Sequence, residues 1–417
     1  MKVDSLTPDI HKLYSSLPLS GLSKVRAEID TDALAYNYGV LAAIVKKENP
    51  ACRPVCVVKA DAYGHSAEVC VARLLEEGCD MFAVSSLEEA LAVRTICAIQ
   101  KAARPVDILI LGYTPACAAA ELIRHNIIQA CFSLEYAEEL AAEIAARADA
   151  DGSPLPPLRV HLKFDTGMNR IGFPAHNAAE IAESVAAVRK VAALRGIAVE
   201  GAFTHFARAD EDSDEGRART TEQAERFLAV TDAVRAAGVP LPMRHICNSA
   251  AAVCRPEYHL DGCRLGILLY GLDPSGDVRC GLRPVMKLKT QIAQIHTLRA
   301  GESVSYGGTF TAPRDMRIAT LPIGYADGFI RAYTGASAVI EDPDGGNRRG
   351  TAHIIGRICM DQCMIDLDGC EGVRTGDTVT LIGEPGQLDD LARRAGTINY
   401  ECVCNISARV PRISARK

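Results

Sequence analysis

Lys59 closes the apolar run PVCVVK and is followed at once by ADAYGH, so a lysine, Tyr63 and a glycine share one short loop. Further along, His205 closes AFTHF, Asn248 and Ser249 fall in HICNSA, and Arg264 lies in CRLGILLYG. A lone lysine after an apolar run is usually a solvated cation. With an imidazole, a guanidinium and an Asn-Ser pair at the ends of other runs, it becomes a candidate amine nucleophile. Such an amine forms a Schiff base with a carbonyl, and desolvation would lower its pKa from about 10.4 and favour the attacking form.

Those runs belong to a regular alternation. Between about residues 53 and 271 the strand candidates are PVCVVK, MFAVSS, DILILG, ACFS, RVHLKFD, VEGAFTHF, HICNSA and CRLGILLYG. Most are separated by amphipathic segments such as AEVCVARLLEEG; the linker after CNSA is shorter. Alternation of this kind predicts parallel strands with helical crossovers. Eight strands without a need for an open edge predict a closed (β/α)8 TIM-type barrel, whose chemistry sits at the C-terminal ends of its strands. The candidate residues stand at such ends. The barrel is placed at 26–284, behind an N-terminal extension over 1–25. From 285 to 417, runs such as MKLKTQIAQIHTLRAG, TAHIIGRICMDQCMIDL and DTVTLIG are rich in β-branched residues and broken by turns. They predict a mostly antiparallel β domain with one short helix near LDDLARRAG and an exposed loop at EDPDGGNRRG, around 342–349.

Composition narrows the function. The 417 residues are 48% hydrophobic and 24% charged with a formal charge of −6, ordinary for a globular chain. That balance gives no electrostatic reason for nucleic acid or an anionic membrane as partner. The opening segment has no continuous apolar h-region and no stretch is long enough to span a bilayer, so no membrane partner is expected. Sixteen cysteines are scattered without a CxxC pair, which argues against a zinc site. Cys359 and Cys363 in CMDQC, and Cys402 and Cys404 in CVC, are close neighbours. On a strand the last two would share one face, as core residues. A reduced, cytoplasmic protein without a metal is expected.

Taken together, these segments resemble the alanine racemase family, over nearly everything from RAEIDTDALAYN to ISARVPRI. VVKADAYGH is similar to the family's cofactor-lysine motif. The resemblance implies pyridoxal 5'-phosphate as cofactor, carried by Lys59 as a Schiff base, with Tyr63 at the phosphate. KFDTGMNRIG resembles the KxDTGMxRxG segment. There Arg170 would bind the substrate carboxylate and the cofactor's phenolic oxygen, and Lys163 would be the position often carbamylated. Asn248, Ser249 and the backbone of Gly266 and Ile267 would complete the phosphate site. Arg264 would face the pyridine nitrogen; an arginine donates there but does not give up its proton, so the ring would be a weaker electron sink and transamination would be limited.

SVSYGG matches the segment of the family's second base, here Tyr306. By resemblance Lys59 would serve the D-side proton and Tyr306 the L-side, with His205 and Arg264 as a relay, because a tyrosine is a poor base at neutral pH unless its phenolate is stabilised. IGYADG (Tyr325) and CMDQ (Met360, Asp361) match segments that reach the site from the other subunit of a homodimer. INYE supplies Tyr400, which in the family touches the phosphate and narrows the pocket. The implied activity is interconversion of L- and D-alanine, supplying D-alanine for peptidoglycan. A decarboxylase of the same barrel type would be expected to carry an acidic residue in place of Arg264. A non-catalytic carrier of the cofactor would leave Tyr306 and the second domain without a role. Alanine and serine differ by one hydroxyl, which a pocket distinguishes weakly.

Overall fold

The computed structural model describes residues 23–147, 153–273, 280–342 and 350–416. The chain divides into two compact units, one of residues 31–283 and one that joins the residues up to Asp30 to those from Pro284 onward.

In the first unit eight parallel strands close into a barrel: Arg53–Val57, Met81–Val84, Asp107–Ile110, Ile127–Cys131, Leu158–Asp165, Ile197–Phe203, Met243–His245 and Gly262–Leu265. Ile127–Cys131 pairs with Leu158–Asp165, and Gly262–Leu265 returns to Arg53–Val57, which leaves no open edge in the ring. Several strands are buried on both faces, because crossover helices cover the outside and side chains fill the inside. Ser66, Ser86, Ser133, Asn177, Ser213 and Asn248 each cap a crossover helix by accepting a backbone N–H from its first turn. The shorter linker after CNSA yields only the helix Ser249–Cys254 and a 3-10 turn at Pro256–Tyr258. Helix Thr31–Glu48 precedes the first strand and packs against Ser249–Cys254 and the 3-10 turn Ile267–Tyr270, so it covers the side of the barrel that the last crossover leaves thin. Near the strand starts, Arg53 reaches Asp80 and Asp107, and Arg159 reaches Asp107 and Glu200, all within 2.8 Å. That ionic ring closes the end of the barrel away from the candidate residues, where barrels put stability rather than chemistry.

The second unit is built on a nine-stranded sheet, in the order Gln294–Leu298, Met316–Leu321, Cys363–Asp366, Gly350–Ile355, Ser337–Ile340, Thr378–Ile382, Met286–Gln291, Val25–Asp30 and Arg412–Ala415. All pairings are antiparallel except the last, between the two ends of the chain. This corrects the expected boundary: residues 25–30 are a strand of the C-terminal sheet, not the start of the barrel. The reason is visible in VRAEID, whose alternating burial suits a strand with one face covered. The pairing partner lies some 260 residues away, beyond any local signal. Most of the expected extension, residues 1–22, and residues 343–349 of the expected loop lie outside the described residues.

Two short helices, Gln387–Ala395 and Asn399–Cys404, stand where one was expected. Cys402 and Cys404 are therefore on a helix and not a strand. Two residues apart on a helix point to opposite sides, so Cys402 is buried and Cys404 exposed. All sixteen cysteines are free thiols, and among the described residues no helix is long and apolar enough to cross a membrane.

Candidate active site

After the first barrel strand the chain enters a left-handed turn. Ala60, Asp61, Ala62 and Tyr63 all have φ between 52° and 56°, and Gly64 follows at 78°. For L-residues this region costs about 1–2 kcal/mol each, so the turn must be held by its surroundings. Val58 O accepts the Ala62 N–H at 2.9 Å and Ala60 O accepts the Gly64 N–H at 2.8 Å. Glu89, on helix Leu87–Ile99, accepts the Ala60 N–H at 2.7 Å with one oxygen and the Ser85 N–H at 2.8 Å with the other. Asp61 accepts the Ala67 N–H at 2.7 Å. The turn leaves Lys59 at the strand end, its Nζ 5.9 Å from the centre of the Tyr63 ring. Sequence reasoning missed Glu89. The signal was there in SLEE, a capping-box spacing after Ser86, but the carboxylate serves a different loop from the one that spacing implies.

Tyr63 brings its hydroxyl to the loops after the last two barrel strands. A methyl group at Gly266 would lie 2.9 Å from the Tyr63 hydroxyl and 3.5 Å from Ser249 Oγ, so only glycine leaves this cradle open. The Gly266 N–H donates to Ser249 Oγ at 2.6 Å, which leaves the serine's own proton to be donated elsewhere. Asn248 caps the helix that begins at Ser249, and Ile267 opens the 3-10 turn behind Gly266. Tyr270 backs Tyr63 with ring centres 5.2 Å apart, and is anchored through its hydroxyl to Val57 O at 3.0 Å.

Around Lys59 the other strand ends supply cations. Burial, then the charges of Arg264, Lys163, Arg170 and Lys59, pushes the His205 imidazole well below its ordinary range. Burial, reinforced by Arg264, brings the Lys163 ammonium down to about 7. Arg264 is buried, and that burial lowers its guanidinium to about 10, still protonated at neutral pH. Asp165 is the acid of this group. Burial would raise its carboxyl, but N–H bonds from Gly167, Asn169 and Arg170, at 2.8–3.0 Å, hold it below the usual carboxylate range. Those bonds fold the loop that carries the exposed Arg170. Gly172 closes the loop where a Cβ would strike the Asp165 backbone nitrogen at 2.6 Å. A group of lysine, arginine and neutral imidazole, with its carboxylate already engaged, suits a ligand bearing a phosphate and a carboxylate.

The barrel thus brings together Lys59, Tyr63, Lys163, Arg170, His205, Asn248, Ser249, Arg264, Gly266 and Ile267. Tyr306, Tyr325, Met360 and Tyr400 belong to the other unit. Three of these share one platform. Ser305 donates to Arg357 O at 2.6 Å and lies 3.3 Å from Cys359 Sγ, which ties the Tyr306 turn to the loop between strands Gly350–Ile355 and Cys363–Asp366. The Tyr325 and Ala326 N–H groups donate to Cys359 O and Met360 O at 3.1 and 3.0 Å. Arg409 bridges the buried Asp327 at 2.8 Å and the half-exposed Asp361 at 2.6 Å. Tyr306, Tyr325 and Met360 all project from this platform with large exposed surfaces. Tyr400 is half-buried on helix Asn399–Cys404. Among the described residues no cluster of His, Cys, Asp or Glu could hold a metal ion.

Comparison with known proteins accords with this arrangement in both units. The family profile for the alanine racemase N-terminal domain matches residues 29–274, and that for the alanine racemase C-terminal domain matches 285–414. Alanine racemase 1 of Clostridium acetobutylicum is 41% identical over 396 residues, 93% of this chain and 95% of its own. The alanine racemase of Clostridium tetani is 39% identical over 404 residues, 95% of this chain and 96% of its own. Among solved structures, alanine racemase of Clostridium difficile 630 superimposes with a TM-score of 0.82 at 36% identity, covering 95% of this chain and 96% of that one. Barrel, appended sheet and full-length similarity agree: the chain belongs to the alanine racemase family.

Proposed function

We propose that this chain interconverts L- and D-alanine with pyridoxal 5'-phosphate held on Lys59. The observation that carries the reading is the meeting of Lys59 with an open cradle, formed by Tyr63, Ser249 and Gly266, inside a group of cations. The cradle fits a phosphate. Tyr63 and Ser249 bring hydroxyl donors to it, and Asn248 and the backbone of Gly266 and Ile267 complete its wall. When bound, the cofactor supplies the electron sink that acidifies the α-hydrogen of an amino acid joined to it. Arg264 would donate to the ring nitrogen of the bound cofactor without releasing a proton, which would moderate that sink and favour return of the proton over transamination.

The remaining steps belong to side chains. Arg170 orients the substrate carboxylate. Lys59 holds or takes the proton on the D side, and Tyr306 does the same on the L side, since one group cannot reach both faces of a planar carbon. His205 and Arg264 stabilise the charge that Tyr306 acquires. Tyr306, Tyr325 and Met360 act on the barrel of a second copy, so the working unit is a homodimer with two shared sites. Tyr400 narrows the pocket toward alanine. The setting is the cytoplasm, in keeping with sixteen free thiols, and the D-alanine serves peptidoglycan. The reading is tested by a chiral assay of purified protein, supplied with the cofactor, on L-alanine and L-serine. Rapid formation of D-alanine supports it. Decarboxylation, or bound cofactor without turnover of either amino acid, would overturn it.

A further inference from the structure

Beneath Arg264, in the interior of the barrel, two histidines on different strands make a hydrogen-bonded chain. His161 Nδ1 lies 3.0 Å from His245 Nε2, and His245 Nδ1 lies 2.9 Å from Arg264 Nη1. His161 and His245 are 2% and 0% exposed, so water cannot arbitrate their protons. The direction of every bond then follows from donor arithmetic. A guanidinium has five N–H donors and no acceptor. Arg264 Nη1 donates to His245 Nδ1 and His245 O, and Nη2 donates to Thr204 O and Ile246 O, at 2.7–3.0 Å. His245 Nδ1 must therefore be an acceptor, so the ring proton is on Nε2. That N–H in turn points at His161 Nδ1, which must also accept. The reverse order would set a His245 N–H against an arginine N–H.

We propose that His161 and His245 are a proton-ordered pair of positioning residues, each neutral with its proton on Nε2, that holds the Arg264 guanidinium in one orientation. Four of the five donors are committed to three backbone carbonyls and one imidazole nitrogen, all uncharged. The arginine keeps an undivided positive charge, and its Nε–H is not engaged by these four acceptors. A carboxylate partner would also hold the group, but would spread that charge away from the ring nitrogen it faces in the proposed function. Arg264 fixes the tautomer of His245, and His161, by accepting the resulting Nε2–H, holds the His245 ring where its Nδ1 meets the arginine.

The surroundings are built to keep the pair in place and uncharged. The His245 ring stacks on Phe203 at an interplanar angle of 8° and a centre separation of 5.0 Å, while Lys163 and Arg264 approach the same Phe203 ring at 5.0 and 5.5 Å. A protonated His245 would meet two cations here. Gly201 makes room for His161: a Cβ there would lie 2.8 Å from its Nε2 and 2.6 Å from Met243 O. Burial, followed by the Arg264 charge, pushes His245 well below the usual imidazole range, and burial brings His161 to about 3.

The test uses the full chain labelled with 15N-histidine, read by long-range proton–nitrogen correlation at neutral pH. Both histidines are expected as single neutral Nε2–H tautomers. An Nδ1–H tautomer, or a doubly protonated ring, would overturn the proposal. In His161→Phe the His245 Nε2–H loses its acceptor, so its proton and nitrogen resonances are expected to shift while Nδ1 remains the acceptor toward Arg264; an unchanged His245 pattern would show that His161 does not hold the ring. The last arm rests on the racemase reading and measures the ratio of transamination to racemisation of alanine. His245→Phe should raise that ratio several-fold, and His245→Asn, which keeps an oxygen acceptor near the Nδ1 position, should bring it back. Equal ratios in all three proteins would mean that Arg264 does not depend on the pair. Should His245→Phe fail to fold, wild type, His161→Phe and His245→Asn still decide. Tautomers as expected in a wild type that does not racemise alanine would sink the functional reading and leave the pair standing.

Discussion

Glu89 accepts the Ala60 N–H at 2.7 Å, so a helix of the barrel wall holds the residue next to Lys59. Its other oxygen takes the Ser85 N–H at 2.8 Å, which makes the carboxylate a staple between the loops after the first two barrel strands.

Glu89→Ala removes both bonds from a turn in which four successive L-residues sit at positive φ. Ala60 and Ser85 are exposed, so water takes over the freed donors and the loss is at most that of ordinary hydrogen bonds, about 0.5–1.5 kcal/mol each. The expected outcome is a modest fall in melting temperature with a larger fall in cofactor retention, because the distortion lands on Lys59. Glu89→Gln keeps one acceptor and should be intermediate. Equilibrium dialysis against pyridoxal 5'-phosphate beside a thermal melt checks this; loss of stability with unchanged retention would separate Glu89 from the lysine turn.

The barrel was legible because its strands are apolar runs closed by polar residues, a pattern that local sequence carries. PVCVVK and RVHLKFD became strands with Lys59 and Asp165 at their ends. What was not legible depends on partners far along the chain. Val25–Asp30 is a sheet strand because of Met286–Gln291, and nothing near residue 25 announces that. His161 sits in an apolar run, where a buried, satisfied histidine is the ordinary expectation; its meaning comes from His245, 84 residues later. Cys402 was misplaced for another reason. A segment as short as CVC has no period to read, so strand and helix were indistinguishable.

Three histidines, His161, His205 and His245, are held below their ordinary pKa by burial and neighbouring charge. Their folded pKa values lie below the unfolded value of about 6.5, so below that pH the unfolded chain binds protons that the folded chain refuses. The stability they allow is therefore complete above about pH 6.5 and declines as the pH falls toward the folded values, about 3 for His161. Each contributes a slope of up to about 1.4 kcal/mol per pH unit in that window. Urea unfolding between pH 7 and 5 measures it. Replacing His161 with Gln should flatten the slope by about one proton's worth, and an unaltered slope would mean that His161 titrates alike in both states.

Lys163 has its ammonium lowered to about 7 by burial and by Arg264. At neutral pH roughly half of it is the free amine, which is the form that adds carbon dioxide. A carbamate there would place an anion among Lys59, Arg170 and Arg264, where cations outnumber their carboxylate partner. We predict a 13C carbamate resonance after equilibration with labelled bicarbonate, lost in Lys163→Ala. Chloride or acetate should partly restore alanine turnover to that variant if the charge is what matters. A resonance that survives in Lys163→Ala would assign the carbamate to another lysine.

Tyr306 is 68% exposed on a platform that also presents Tyr325 and Met360, a large apolar and aromatic surface for a globular domain to leave uncovered. The proposed function covers it with the barrel of a second copy. This is decided by mixing Lys59→Ala chains with Tyr306→Phe chains and allowing them to reassemble. Each homodimer has two defective sites. In a mixed dimer one site lacks both groups and the other has both intact, because two-fold symmetry makes the exchange reciprocal. Random reassembly makes about half of the dimers mixed, so racemase activity should return to about a quarter of the wild-type value. If Lys59 and Tyr306 of one site came from the same chain, every site would lack one of them and mixing would restore nothing. A tag on one variant shows whether subunits have exchanged, and recovery near zero with exchange complete would place both bases in a single chain.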